Sequence, residues 1–350
     1  MLEKFKPLTA EQMRNVIEGK GSVERVPAFI HFWTFPEDFQ DGKRQEVERV
    51  LASYPQDAQV INYRMPQVFT APQDNPSYRW CYKDAEPGRT PDNSGFIMNW
   101  DEELEPFLQD FPSPEYPGLI PPSPEKDGRY RLGIWWYLLF ERFWSIRGME
   151  NALIDFYENP DAVHALFRKL TDFYKRMIER GKFELGLDGV FTSDDLGTQT
   201  STFFSTKIFD EFFAPYYHEI VEKAHSLDMH FWLHTCGNVA SFIPKFIDVG
   251  IDVLHPIQKY TMNEKEIAAK FGNDITIWAG FDVQQIIPYG TPDDVRREVR
   301  YLIDTYARRD GRFMFTLGNR TTSDTPPESL EALLSELFLY GSEKMNKLKN

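Results

Sequence analysis

From residue 187 to 341, short runs of β-branched and aromatic residues alternate with amphipathic stretches that carry helix start and stop signals. That alternation predicts βα units around a parallel sheet. The runs are 189–193, 230–234, 252–255, 275–279 and 312–317, and each is apolar enough to read as a strand buried on both faces. Between them, Asn263 and Glu266 stand at capping-box spacing with Gly272 behind, and Thr291-Pro292 precedes Asp293 and Asp294. Thr325-Pro326-Pro327-Glu328 repeats the pattern and predicts a helix closing at Gly341, with 342–350 left as a polar tail. Upstream, Asn159-Pro160-Asp161 opens a long helix, because Val163, Leu166, Phe167, Leu170, Tyr174, Met177 and Ile178 fall on one stripe.

Three further runs, 131–137 and the weaker 26–30 and 59–63, bring the count to eight strands, the number that closes a TIM barrel. The expected fold class is therefore α/β, a single-domain (β/α)8 barrel over roughly 24–341 with an N-terminal extension. A proline-rich excursion over roughly 66–129, with turn chemistry at Pro76, Pro87, Gly88 and Pro91, interrupts it. The 350-residue length suits such a barrel, and 41% hydrophobic with 27% charged residues excludes a disordered chain. A net charge of −15 argues against nucleic acid or an anionic membrane as a partner. Two cysteines, Cys81 and Cys236, cannot build a disulfide framework, the N-terminus shows no apolar signal core, and the stretch around 134–140 is too short to cross a bilayer. A cytoplasmic protein is the expectation.

Chemistry in a barrel sits where strands end, so the residues just past each run are the candidates. They are His31 and Trp33 after the first run, Glu141 and Arg142 after the third, and Asp194, Asp195 and Gln199 after the fourth. His234 and Cys236 follow, then His255, Trp278, and finally Asn319 and Arg320. Residues two apart on an extended chain point the same way, so His234 and Cys236 can face one ion, and that N/S pair suits zinc. The alternative is a cysteine packed as a small hydrophobe beside a hydrogen-bonded histidine. Of Asp194 and Asp195, one can serve as ligand or general acid/base while the other caps a helix. Arg142 and Arg147 either hold an acidic substrate or pair with Glu141 or Glu150. The tryptophans at 33, 135, 136, 232 and 278 belong to the core, with one or two free to wall a pocket.

Several segments resemble the uroporphyrinogen decarboxylase superfamily of TIM barrels: Leu8-Thr-Ala-Glu-Gln-Met13, Arg25-Val-Pro27, Leu139-Phe-Glu-Arg142 and Arg147-Gly-Met-Glu-Asn151. The resemblance is densest over 188–199, 233–238 and 252–258. Decarboxylases of that group carry arginines after the first strand and a histidine after the last. Here His31-Phe-Trp-Thr-Phe-Pro-Glu-Asp38 has no arginine, and Leu317-Gly-Asn319 has asparagine. The cobamide-dependent methyltransferase branch holds zinc with a His-x-Cys pair and a cysteine after the last strand. His234 and Cys236 match the pair, the third cysteine has no counterpart, and an oxygen ligand from Asp194 or Asp195 is implied instead. The resemblance thus implies a corrinoid-dependent methyltransferase of the demethylating type. It would move a methyl group from a small methylated compound, such as a methoxylated aromatic, to a partner corrinoid protein with zinc-assisted activation, and a homodimer is compatible with it. On this reading Asp194, Asp195, His255 and Glu141 are the catalytic candidates. His31, Trp33, Arg142, Gln199, Trp278 and Asn319 line the substrate, and His234 and Cys236 hold the metal. The alternatives are a decarboxylase or lyase on a small acid, with Arg142 or Arg320 as anion holder, and a barrel without catalysis.

Overall fold

In the computed structural model, whose described residues are 5–65, 95, 97 and 99–350, one parallel sheet organises the chain. Its strands are β1 (Ala58–Asn62), β2 (Tyr130–Ile134), β3 (Gly189–Ser193), β4 (His230–His234), β5 (Val253–His255), β6 (Thr276–Phe281) and β7 (Phe313–Leu317). They pair in sequence order, as successive βα units require. Register fixes the working edge: Ser193 lies opposite His234, and His234 opposite His255, so three polar residues end level.

The eighth expected strand is a correction. Segment 26–30 contributes one parallel bridge, Ala28 to Phe315, beside β7. Phe29 N–H donates to Phe315 O at 3.1 Å and Phe315 N–H to Pro27 O at 2.9 Å. Pro27 has no N–H to extend the ladder. On the β1 side the Ala28 N–H is taken by the Asp57 carboxylate at 2.8 Å rather than by a strand. The chain then turns into the 3-10 segment Ile30–Trp33. The result is a TIM-barrel-like sheet of seven strands plus a bridge.

The barrel interior is aromatic. Phe29, Phe191 and Trp232 approach Trp278 with ring centroids 5.0, 5.2 and 5.2 Å apart, edge to face. Outside, the helix Pro160–Arg180 buries its whole apolar stripe, and Asn263 and Thr291 cap their helices as expected. Thr325 does not cap: the last helix, Pro327–Lys349, begins without a side-chain cap and passes straight through Gly341. There a Cβ would stand 3.4 Å from the Val26 side chain, and Met345 one turn on is buried, so the packed stripe continues and the polar tail is the outer face of a helix. Within the excursion, Asn99 caps a helix at Trp100–Gln109 that buries Trp100 and Phe107, correcting the expectation of irregular chain there. Cys81, Pro76, Pro87, Gly88 and Pro91 lie outside the described residues. Among the described residues no helix is long and apolar enough to cross a membrane.

Candidate active site

The loops that follow β3 and β4 touch through glycine. Gly237 has φ +84°, and a Cβ on it would come within 2.4 Å of the Gly197 backbone, so only glycine allows this approach. Asn238 N–H donates to Thr198 O at 2.7 Å and locks the crossing. The contact brings Asp195 from one loop to Cys236 of the other: Cys236 N–H donates to Asp195 Oδ1 at 2.8 Å. His234 Nε2 lies 3.2 Å from Cys236 Sγ and 3.7 Å from Asp195 Oδ1. One ligand atom from each of the three groups falls within 4.8 Å of the others.

This donor set, imidazole nitrogen, thiol sulfur and carboxylate oxygen, is the borderline-soft mixture that zinc takes. Burial, with Asp195 and Glu141 close by, pushes the Cys236 thiol up. A divalent cation is what would reverse that and hold the sulfur as thiolate. Burial also holds the His234 imidazole below its usual range, which keeps it neutral and able to ligate.

Glu141, in the first turn of the helix Phe140–Arg147, comes in from the other side, and the Ser193 hydroxyl donates to its Oε2. Desolvation, with Asp195 and Asp194 nearby, raises its carboxyl well above the ordinary range and so favours the protonated form. The same helix is set in place by Asp194. That carboxylate is fully buried and accepts the N–H groups of Leu139, Phe140 and Glu141 at 3.2, 3.1 and 2.8 Å and the Tyr217 hydroxyl at 2.7 Å. Burial pushes Asp194 up to about 6, and these four donors hold it from rising further.

A cavity of 860 Å³ opens beside this cluster. Phe32, Trp33, Phe35, Trp136 and Tyr137 give it aromatic walls, and Glu141, Ser193, Asp195 and His234 reach it as polar groups. His31, Arg142, Asn319 and Arg320 line it as well. His31 Nε2–H donates to Leu51 O at 2.9 Å, Arg142 lies over the Tyr137 ring at 5.3 Å, and Arg320 Nε pairs with Asp38 at 2.6 Å. Four of the singled-out residues lie elsewhere. Asp194 faces the helix end behind the site, and His255 stands behind His234 at 2.7 Å, Nδ1 to Nδ1. Trp278 fills the barrel interior, and Gln199 lines a separate 220 Å³ cavity beyond Cys236. Arg147 pairs with Asp155 at 2.5 Å rather than with Glu141 or Glu150.

Ser193, Phe32, Phe35 and Tyr137, which line the cavity, and Tyr217, which bonds Asp194, are residues that sequence reasoning passed over. Ser193 had a signal, as the last residue of its strand. Tyr217 had none, because a bond to a carboxylate 23 positions upstream leaves no local pattern. Tyr137 takes φ +70°, a conformation nothing in its neighbourhood announces.

Known proteins bear on the family and the fold. The family model for uroporphyrinogen decarboxylase (URO-D) matches residues 143–337. A methylated-thiol–coenzyme M methyltransferase of Methanosarcina mazei is 24% identical over 67% of this chain and 55% of its own length. A uroporphyrinogen decarboxylase of Vesicomyosocius okutanii is 23% identical over 53% of this chain and 52% of its own. The chain thus spans about half the length of the curated relatives it matches. Among solved structures, a methyltransferase from Methanosarcina mazei superposes with a TM-score of 0.57 at 14% identity, covering 94% of this chain and 98% of that one, a likeness of fold. Since the family match runs over more than half of the residues, helix Phe140–Arg147 through β7 and into the last helix, this chain belongs to the uroporphyrinogen decarboxylase family.

Proposed function

We propose that the protein is a methyltransferase of the demethylating type. It takes a methyl group from a small methylated compound, such as a methoxylated aromatic, held in the aromatic-walled cavity, and passes it to a corrinoid carried by a partner protein. The observation that carries this reading is the Asp195–His234–Cys236 cluster on the edge of that cavity. It supplies an oxygen donor where the sequence has no third cysteine. The absence of arginine over 31–38, and Asn319 past β7, weigh against porphyrinogen decarboxylation, and one relative is a methyltransferase.

A methyl ether or thioether carbon is a poor electrophile until its heteroatom is activated. Bound zinc would supply Lewis acidity at that heteroatom. The chain's own residues do the rest. Phe32, Trp33 and Trp136 orient a flat substrate and exclude water from it. Glu141, neutral and pinned at Oε2 by Ser193, gives its proton to the heteroatom as the bond to the methyl carbon breaks. Asp194 keeps Glu141 in reach by anchoring the helix that carries it. A lyase acting on a small acid is the second reading, favoured by the guanidinium groups of Arg142 and Arg320 at the same cavity.

Elemental analysis of the purified protein beside His234→Ala and Cys236→Ser decides between them. Near-stoichiometric zinc lost in both variants, with methyl transfer from a methoxylated aromatic to a reduced corrinoid protein, is the expected result. A metal-free parent that still turns over a small carboxylic acid would overturn the methyltransferase reading.

A further inference from the structure

Behind the cluster runs a line of hydrogen bonds that no ligand role explains. His255 is wholly buried and lines neither cavity at the strand ends. Its Nε2 lies 2.9 Å from Leu317 O and its Nδ1 lies 2.7 Å from His234 Nδ1. Its ring lies flat against Trp33, with centroids 5.1 Å apart, and 4.6 Å from that of Trp278.

The protons on this line can be assigned. A carbonyl oxygen only accepts, so His255 Nε2 carries a hydrogen. Among the described residues no carboxylate touches His255, which is fully buried between the Trp33 and Trp278 rings, so its ring is neutral and its Nδ1 is a bare lone pair. Two nitrogens 2.7 Å apart need one proton between them, and only His234 Nδ1 can provide it. His234 is then bare at Nε2, the atom that faces Cys236 Sγ and Asp195 Oδ1. The opposite arrangement would turn an N–H toward the cluster and close it to a cation.

We infer that His255 is a positioning residue: through Leu317 O and His234 Nδ1 it fixes the tautomer of His234 and presents the Nε2 lone pair to the Asp195–Cys236 cluster. The use made of that lone pair rests on the metal reading above, whereas the tautomer does not. The inference also moves His255 from the chemistry to its support, one step away from the reacting atoms.

Long-range proton–nitrogen NMR of the 15N-histidine-labelled, metal-free protein reads the tautomer directly, and zinc titration reads its consequence. The parent should show His234 protonated at Nδ1 and bare at Nε2. His255→Leu should shift His234 toward the Nε2–H form and weaken zinc binding by about 10- to 100-fold, the usual effect of losing a partner behind a ligand. His255→Gln, whose amide can accept from His234 and donate to Leu317 O, should restore both. A parent spectrum with His234 protonated at Nε2 overturns the inference whether or not the variants fold. So does zinc binding in His255→Leu as tight as in the parent. The Nδ1–H form in a parent that takes up no zinc upholds the tautomer assignment and overturns the metal reading instead.

Discussion

At the N-terminal end of β1 and at the C-terminal end of β3 the chain sets buried and half-buried carboxylates in opposite company. Asp57, with no exposure, receives both Arg25 terminal nitrogens at 2.6 Å and the Leu8 and Ala28 N–H groups at 2.9 and 2.8 Å. The chain itself completes that site, and the ion pair ties the N-terminal extension and the bridging segment to the barrel. Asp195 and Glu141 have a thiol, an imidazole and a hydroxyl for neighbours. Among the described residues the contact printed for Asp195 with a basic group is the His234 imidazole at 3.7 Å, and Arg142 acts on Glu141 only through its field. The difference separates the end that the chain completes for itself from the end to which the proposed chemistry is assigned, and it follows the division between the two faces of a barrel.

The comparison breaks most visibly at Asp57. Asp57→Ala leaves a guanidinium buried to 1% exposure without its partner and should cost about 3–5 kcal/mol in chemical denaturation. Asp195→Asn at the other end should leave the denaturation midpoint unchanged or raise it, because it relieves carboxylate crowding, while lowering zinc content. Equal losses of stability in the two variants would mean that both sites are structural. Next in size, Glu141→Gln preserves the bond from Ser193 but has no acidic proton. Turnover of the methyl donor should fall about 10²-fold, worth roughly 2.7 kcal/mol, with donor affinity little changed. A variant that keeps full kcat would remove the proton-donor role from Glu141.

How much of this was legible in the sequence differs between the same two regions. β3 and β4 match the expected 189–193 and 230–234 residue for residue, because period, length and bounding turns all lie within a few positions. The His234–Cys236 pairing was legible for the same reason: side chains two apart on an extended chain face one way. The bridge at Ala28 was not, since its cause is a carboxylate 29 positions away that takes the place of a strand. Nor was the continuation of the last helix through Gly341, which depends on Val26 lying beneath it. The aspartate pair shows the boundary most sharply. That one would face the site and the other a helix was readable from adjacency, but the helix Asp194 holds precedes it by more than 50 residues, and only the folded barrel says which carboxylate does what.

The smallest effect tests that last assignment by pH. In the folded protein Asp194 titrates at about 6, above the ordinary aspartate near 4. Between those values the folded state keeps a proton that the unfolded chain has released. The stabilisation is therefore complete below about pH 4 and is lost as pH rises to about 6, by up to roughly 3 kcal/mol, after which this contribution is flat. Tyr217→Phe removes a donor that favours the ionised carboxylate. The carboxyl should titrate higher still, so the variant's stability should go on falling above pH 6 where this contribution is flat in the parent, reaching about 1 kcal/mol of extra loss by pH 7. Urea midpoints measured from pH 5 to 8 on both proteins give the answer. Parallel curves would mean that the Tyr217 hydroxyl does not feed Asp194, and that the helix presenting Glu141 is held by its backbone bonds alone.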